Sequence, residues 1–393
     1  MARILMGWEL GGGFGHITNI LTLGRALRDQ GHEVLFALKD TVPTWPLTRD
    51  AGFPVLAAPV PRMQPIAMGK RFLARTFADV LIAHGYHQPE ILEPQVSAWK
   101  ALIDLARPDL VISEFSPSLC LAAWSRVPSL AFGIGFCAPC LQRDGRFPVL
   151  ESNATALLPQ ERLMEGVADT MKRMGLPVPA NPLDALLGNR CLAIGLDEID
   201  PYRAARTEPG VGPLWELPAA EIPMPEKPYC LVYLPGEHPA LREIVEGLAA
   251  LKTPGVVFLR GGGPAARAAL SRTVLEVSAK PVDMAAMLPK VSVVVHHAGT
   301  GTVERAMAWG RPQVLSPIVL EQGITSRNLA RLGTARVAAD TAGVQQLAAT
   351  IDEVAVSVSM RSAAQNLAGR LRQQYPRGSL EKVTGVCAEL LAG

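Results

Sequence analysis

Short apolar runs alternate with longer segments of mixed polarity along most of the chain. A continuous apolar run of about four to eight residues predicts a buried strand, whereas apolar positions three and four residues apart predict a helix. In the first half, the pattern predicts strands at 3–8, 33–38, 110–113 and 129–133 and helices at 17–30, 93–106 and 118–125. Because strands that alternate with helices build parallel sheets, we expect a doubly wound α/β fold.

The alternation fails between about 197 and 228, where seven prolines crowd together. Proline lacks a backbone N–H and has a fixed φ, so this stretch predicts neither a regular helix nor a central strand. The pattern then resumes, with strands predicted at 229–234, 256–259, 291–295 and 313–315 and helices at 240–251, 301–309, 322–332 and 379–391. We predict a first domain at 1–205, a linker at 206–228, a second domain at 229–375 and a last helix within 376–393 that packs back toward the first domain.

Composition narrows the class of protein. Hydrophobic residues make up 49% of the 393 residues, which is enough for large cores, and a net charge of +2 lacks the basic excess of nucleic-acid-binding proteins. Glu9 interrupts the first apolar run, so no signal peptide is predicted, and prolines and glycines in the uncharged stretch 127–142 argue against a membrane span. Six scattered cysteines do not resemble a disulfide framework. We expect a cytoplasmic protein that binds no nucleic acid and is not stably inserted in a membrane. The sequence leaves its oligomeric state open.

The first candidate for chemistry is the glycine-rich loop 11–16, which ends in His16 between a predicted strand and helix. Glycines let a ligand approach the backbone closely, and a helix N-terminus favours negative charge. A dinucleotide-binding loop needs a third glycine at position 16, which is His here. An ordinary tight turn remains an alternative for this segment.

The second candidate runs from an apolar strand into a helix over residues 291–304. His297 stands where that strand ends, and the small residues 298–302 would present free backbone N–H groups at the helix start. This arrangement predicts a phosphate cradle, although it lacks the lysine of a nucleotide-hydrolase loop. Beyond Pro317, Glu321 and Gln322 place a carboxylate beside an amide, which suits the hydroxyls of a polyol, although an acid at a helix start also complements the helix dipole.

These motifs resemble those of the family 1 glycosyltransferases, two-domain inverting enzymes that use nucleotide-activated sugars, among them bacterial antibiotic and plant secondary-metabolite transferases. The resemblance rests on His-x-Gly-x-Gly-Thr from His297, on Gly-x-Pro at 310–312 and on the acid–amide pair after Pro317, and it extends to Gly15-His16 and to 31–34. It is strong over about 280–335 and moderate over 1–40. It implies the GT-B fold, in which two Rossmann-like domains with parallel sheets face each other across a cleft.

The resemblance also implies roles for single residues. His16 would deprotonate the acceptor and Glu114 would orient His16, while His297 would contact the leaving-group phosphates and Glu321 and Gln322 the sugar hydroxyls. The predicted donor-binding set is completed by Val282, Gly299, Thr300, Gly301, Thr302 and Glu304. On the acceptor side we predict Phe14, His84, His87 and Phe136.

Three features depart from the family pattern. Arg305 stands where the family has a ribose-binding Glu, with Glu304 one residue earlier, and Glu237 would repel a pyrophosphate near the first strand of the second domain. The base-stacking aromatic that the family has before Val282 is missing as well. These departures bear on the choice of donor.

The sequence thus predicts an inverting glycosyltransferase that moves a sugar from a UDP- or TDP-sugar to a hydroxyl of a small, largely apolar acceptor. The chain contains no Asp-x-Asp motif, so we expect no metal site and no cofactor besides the nucleotide sugar as co-substrate. Basic residues among apolar ones, at Arg62, Lys70, Arg71 and Arg75, keep a membrane-surface transferase with a lipid-linked acceptor open. A non-catalytic sugar-nucleotide-binding or partner protein is the third possibility.

Overall fold

The structure is a computed structural model that describes residues 1–67, 73–338 and 344–393, so Lys70 and Arg71 lie outside the described residues. The described chain divides into two compact units. Unit 1 comprises Met1–Trp215 together with Gly378–Gly393, and unit 2 comprises Glu216–Arg377. The boundary therefore falls inside the proline-rich segment.

Unit 1 is built on a six-stranded parallel sheet with the order β3-β2-β1-β4-β5-β6. Its strands are β1 (Arg3–Trp8), β2 (Glu33–Leu38), β3 (Val55–Ala57), β4 (Leu110–Glu114), β5 (Ser129–Ile134) and β6 (Arg190–Ile194). The side chains of β1 from Ile4 onward are buried, as expected when helices cover both faces of a parallel sheet. The carboxyl ends of β1 and β4 are neighbours, because Gly7 pairs with Ser113.

Helices and short turns connect the strands of unit 1. They are α1 (Phe14–Asp29), α2 (Thr41–Ala51), α3 (Phe77–Ala83), α4 (Pro89–Ala106), α5 (Pro117–Ala123), α6 (Gln160–Arg173) and α7 (Asp184–Leu187). Helix α1 begins three residues before the predicted position 17. Gly13, with φ of 89°, makes the turn that a side chain would strain, and the helix starts directly after it. His16 consequently lies inside the first turn of α1.

Unit 2 has a second six-stranded parallel sheet, with the order β12-β11-β10-β7-β8-β9. Its strands are β7 (Cys230–Pro235), β8 (Gly255–Arg260), β9 (Leu275–Val277), β10 (Val293–His296), β11 (Gln313–Leu315) and β12 (Ala335–Val337). Its helices are α8 (Leu241–Leu248), α9 (Pro264–Leu270), α10 (Met284–Met287), α11 (Thr300–Ala308), α12 (Leu320–Arg331), α13 (Val344–Val356) and α14 (Val358–Gln374). The predicted α/β class with two doubly wound parallel sheets is thus confirmed.

The last helix, α15 (Leu380–Ala392), belongs to unit 1, where it packs against α1. Its Val383 and Cys387 are buried in the hydrophobic core of that unit. The Ser379 hydroxyl, just before the helix, donates a hydrogen bond of 2.7 Å to the carbonyl of Gly212. The chain therefore returns to its first unit after completing the second.

A buried arginine fixes the proline-rich segment to unit 2. Arg311, which is fully buried, donates hydrogen bonds to the carbonyl oxygens of Leu288 at 2.7 Å and Pro223 at 2.8 Å. Burial lowers the pKa of its guanidinium to about 10. In this segment the structure describes a short 3₁₀ turn at Asp197–Ile199 and then no helix or strand before β7, as the prolines predict. No helix among the described residues is long and apolar enough to cross a membrane.

Candidate active site

His16 and Glu114 meet at the carboxyl edge of the unit 1 sheet. Glu114 ends β4, and His16 lies in the first turn of α1, beyond the loop that follows β1. The Nδ1 atom of His16 lies 2.7 Å from Oε2 of Glu114. The side chain of Glu114 is 1% exposed and that of His16 is 11% exposed. The structure thus brings together the two residues that the sequence predicted as base and orienting acid.

Two aromatic rings flank the imidazole of His16. The imidazole of His16 stacks on Trp8, with 5.0 Å between ring centres, and on Phe115, with 5.8 Å between ring centres. The rings of Phe115 and Phe136 pack edge to face with 6.3 Å between their centres, so the predicted acceptor residue Phe136 belongs to the same cluster. Phe14, at the start of α1, is 37% exposed. Trp8 and Phe115 belong to no motif in the sequence, although Trp8 ends a predicted strand and Phe115 directly follows the observed end of β4.

Glu9 is a buried carboxylate that the sequence analysis did not assign to the site. It directly follows β1 and is fully buried, and burial raises its pKa. Its oxygens accept hydrogen bonds from Trp99 Nε1 at 2.6 Å, from the Tyr86 hydroxyl at 2.8 Å and from both the backbone N–H and the hydroxyl of Ser118. Glu9 lies two residues before Gly11, so this network fixes the start of the glycine-rich loop that ends in His16.

The two remaining residues predicted on the acceptor side, His84 and His87, lie in different surroundings. Gly85 between them has φ of 84°, which ends helix α3 and separates the rings. His84 is half-buried, its Nδ1 lies 2.7 Å from the Val80 carbonyl, and burial followed by the charge of Lys39 lowers its pKa. Lys39 also donates to the Gly11 carbonyl at 2.6 Å, which relates His84 to the glycine loop. The backbone of His87 instead packs against Gly166 of α6.

In unit 2, a strained turn joins β10 to α11. His296, the last residue of β10, is fully buried, with Nε2 2.9 Å from Gln313 Oε1, and its Nδ1 accepts from the backbone N–H of Ala298 at 3.2 Å. Ala298 has φ of 63°, a conformation that is uncommon for residues with a side chain. The His296 ring therefore stabilises the turn that presents the N-terminus of α11, including the predicted residues Gly301 and Thr302.

His297 lies half-buried at this turn, where burial and then the positive charge of Arg260 lower its pKa to about 4. Its ring is therefore neutral near pH 7. Nδ1 of His297 has no hydrogen-bond partner among the residues that the structure describes. The predicted neighbour Gly299 lies so close to the ring that a Cβ there would be 2.9 Å from Nε2.

Of the remaining predicted donor residues, Thr300 begins α11, and Glu321 and Gln322 lie in the first turn of α12. The Thr300 hydroxyl donates to Oε1 of Glu321 at 2.8 Å, and Oε1 of Gln322 accepts from the Ile318 N–H at 2.8 Å, which leaves the amide NH₂ of Gln322 to face other partners. Glu304 is buried in α11, and Val282 packs on the apolar cluster behind β7 and β10. The predicted acid–amide pair and the predicted phosphate cradle are thus joined by one hydrogen bond.

The comparisons with known proteins bear on the fold and on the class of enzyme. No family model matches the chain. The chain is 25% identical over 348 residues to the L-demethylnoviosyl transferase of Streptomyces niveus, which covers 82% of this chain and 81% of the relative. A shorter match, 36% identical over 94 residues, is to the O-mycaminosyltylonolide 6-deoxyallosyltransferase of Streptomyces fradiae and covers 24% of this chain and 21% of the relative.

Among solved structures, the glycosyltransferase VinC in complex with dTDP superposes with a TM-score of 0.70 and 19% identity over 99% of both chains. The spinosyn rhamnosyltransferase SpnG, complexed with spinosyn aglycone, superposes with a TM-score of 0.66 and 16% identity over 98% of this chain and 100% of that one. Both likenesses establish the fold, whereas the sequence matches are to antibiotic glycosyltransferases. The chain is therefore a glycosyltransferase of the GT-B fold, similar to the antibiotic glycosyltransferases of family 1.

Proposed function

We propose that this protein is an inverting glycosyltransferase that moves a sugar from a nucleoside-diphosphate sugar to a hydroxyl of a small, largely apolar molecule, with His16 as general base. The observation that carries the proposal is the 2.7 Å contact between His16 Nδ1 and Glu114 Oε2, with two aromatic rings flanking the imidazole. A buried carboxylate beside an imidazole is the arrangement that activates a His base in other enzymes.

The pair has a defined division of labour. The ionised Glu114 can only accept a hydrogen bond, so it keeps the proton of His16 on Nδ1 and leaves the lone pair on Nε2. Nε2 then takes the proton of the acceptor hydroxyl, and Glu114 stabilises the imidazolium that forms. A positioned base of this kind contributes roughly 10²- to 10⁴-fold to the rate.

The surroundings of His16 favour an apolar acceptor. The rings of Phe77, Phe115, Phe136 and Phe147 form one cluster against the imidazole, and Phe14, at the start of the same helix, is 37% exposed. Ligand sites lined mainly by aromatic and apolar side chains suit a largely apolar ligand that offers a few polar groups. That the SpnG structure contains a spinosyn aglycone supports the same class of acceptor for this chain.

Unit 2 would hold the donor. The N-terminus of α11 favours a diphosphate, the neutral His297 can donate a hydrogen bond to it, and Glu321 and Gln322 suit the sugar hydroxyls. That VinC was solved with dTDP supports a TDP-sugar, with a UDP-sugar as the other possibility. All six cysteines are free thiols, which fits the cytoplasm as the place of the reaction.

The reaction is a single displacement. The deprotonated acceptor oxygen forms a bond to the anomeric carbon while the bond from that carbon to the diphosphate oxygen breaks, so the configuration at the carbon inverts. The nucleoside diphosphate leaves with the bonding electron pair, and His297 and the N–H groups of α11 stabilise its additional negative charge.

The stereochemistry of the product tests this proposal. Purified protein is incubated with TDP- and UDP-sugars of known anomeric configuration and with a panel of aromatic and macrocyclic alcohols. NMR of the product should show the inverted anomeric configuration. Retention of configuration, or hydrolysis of the donor without transfer to any acceptor of the panel, contradicts the proposal.

A further inference from the structure

Two loops at the carboxyl edge of the unit 2 sheet are locked against each other. The N–H of Gly236, after β7, donates to the carbonyl of Arg260, at the end of β8, at 2.6 Å. A Cβ at position 236 would lie 2.4 Å from the backbone nitrogen of Gly262, so only glycine permits this approach. The backbones that carry Arg260 and Glu237 are consequently fixed relative to one another.

The side chains of these two residues form an ion pair beside His297. Nη2 of Arg260 lies 3.4 Å from Oε1 of Glu237. The charges of both residues act on the His297 ring, since Arg260 lowers its pKa and Glu237 raises it. The strand register accounts for this proximity, because β7 pairs with β8 on one side and with β10 on the other. The sequence analysis identified Glu237 but not the arginine that neutralises it.

The ion pair contributes little to the stability of the fold. The side chain of Glu237 is 71% exposed and that of Arg260 is 32% exposed, and exposed pairs are worth about 0–1 kcal/mol. A guanidinium, in contrast, binds phosphate oxygens through two parallel hydrogen bonds and is always charged. Glu237 is the more exposed partner of the pair, so its carboxylate has solvent into which it can turn.

We propose that Arg260 binds the diphosphate of the nucleotide sugar and that Glu237 is an internal substitute for that anion, which the diphosphate displaces. The inference rests on the proposed function and deepens it. After transfer, the departing nucleoside diphosphate carries more negative charge than the donor and binds Arg260 more strongly. Return of the Glu237 carboxylate to Arg260 then competes with the product and promotes its release.

A double-mutant cycle on the full chain tests this inference. Binding of thymidine diphosphate, with uridine diphosphate as a second probe, is measured by calorimetry for the wild type, Arg260→Gln, Glu237→Gln and the double variant. Arg260→Gln should weaken binding about 10- to 100-fold, as for the loss of a charge-assisted hydrogen bond. Glu237→Gln should tighten binding about 2- to 5-fold in the wild type, in proportion to the small energy of an exposed ion pair. It should give no gain in the Arg260→Gln background, because the carboxylate then has no guanidinium to occupy.

Arg272→Gln is the matched control, because Arg272 is exposed and lies between α9 and the start of β9, at the opposite edge of the sheet. It makes the same change of charge and should leave binding unchanged. Thymidine, which lacks phosphate, should bind the wild type and Arg260→Gln equally.

The outcomes separate the two proposals. If the wild type binds thymidine or uridine diphosphate and Arg260→Gln binds it as tightly, the inference about Arg260 is wrong while the transferase proposal stands. An equal gain from Glu237→Gln with and without Arg260 shows general repulsion and also contradicts the inference. A wild type that binds neither nucleotide overturns both proposals.

Discussion

Lowering the pH should destabilise unit 2 through His296. Its ring is fully buried, and both nitrogens are satisfied in the neutral form, with Nε2 donating to the side-chain oxygen Oε1 of Gln313 and Nδ1 accepting from the Ala298 N–H. A proton on Nδ1 would face the Ala298 N–H, and burial accordingly lowers the pKa of His296 from 6.5 to about 3. Protonation would remove the contact that stabilises the turn before α11.

The magnitude follows from the pKa difference. Between pH 6.5 and about 3 the unfolded ring binds a proton that the native ring does not, so the unfolded state gains stability as the pH falls. Above pH 6.5 the titration of His296 leaves the free energy of unfolding unchanged. Below pH 6.5 it lowers the free energy of unfolding by about 1.4 kcal/mol per pH unit, which amounts to about 2 kcal/mol between about pH 7 and pH 5.

Urea unfolding of the wild type and of His296→Gln at these two pH values measures this loss. Hydrogen exchange of the β10 peptide assigns the transition to unit 2. Because carboxylates and His297 titrate in both proteins, the difference between the two pH dependences isolates His296. The variant should lose about 2 kcal/mol less than the wild type on acidification. Equal losses in both proteins would refute the reasoning, whatever the absolute stability of the variant.

Three further outcomes are expected. His297→Ala should weaken binding of thymidine diphosphate while His16→Ala leaves that binding nearly intact, because the two rings belong to different units. Calorimetry measures both affinities, and equal losses would contradict the division of roles between the units. EDTA should not abolish sugar transfer, because the N-terminus of α11 and His297 can hold a diphosphate without a metal. A complete loss of activity in EDTA, followed by recovery when Mg²⁺ is added, would contradict this expectation. Glu9→Gln should lower the free energy of unfolding by about 1–3 kcal/mol, because an amide NH₂ then faces the donors of Trp99 and Ser118, and urea unfolding that matches the wild type would argue against the network.

Periodicity predicted the four central strands of each sheet because they are buried on both faces and are continuous apolar runs in the sequence, but it did not predict the outer strands β3, β6, β9 and β12. It missed α2, whose segment contains Pro43 and Pro46 and has no apolar stripe. It also placed the start of α1 at 17, because the positive φ of Gly13 that permits an earlier start has no signature beyond the glycine itself. These errors concern local backbone geometry that apolar spacing does not encode.

The candidate site was partly predictable. The resemblance to the family paired His16 with Glu114. The structure explains their contact, because His16 comes after β1 and Glu114 ends β4, and the carboxyl ends of these paired strands are neighbours. Arg260 was missed because a single arginine at a strand end carries no motif, and its relation to Glu237 depends on the close approach of the glycines of two loops. His84 and His87 were both predicted on the acceptor side, but Gly85, with its positive φ, lies between them and their surroundings differ.

Turnover of His16→Ala across a series of acceptors tests the central claim most directly. The account predicts a loss of roughly 10²- to 10⁴-fold with an aliphatic alcohol, a smaller loss for Glu114→Gln, and partial recovery of His16→Ala with acidic phenols, which need less help to lose their proton. That recovery also shows that the variant is folded. Full activity of His16→Ala on an aliphatic alcohol would contradict the account, because His16 would then be only a residue of the first turn of α1.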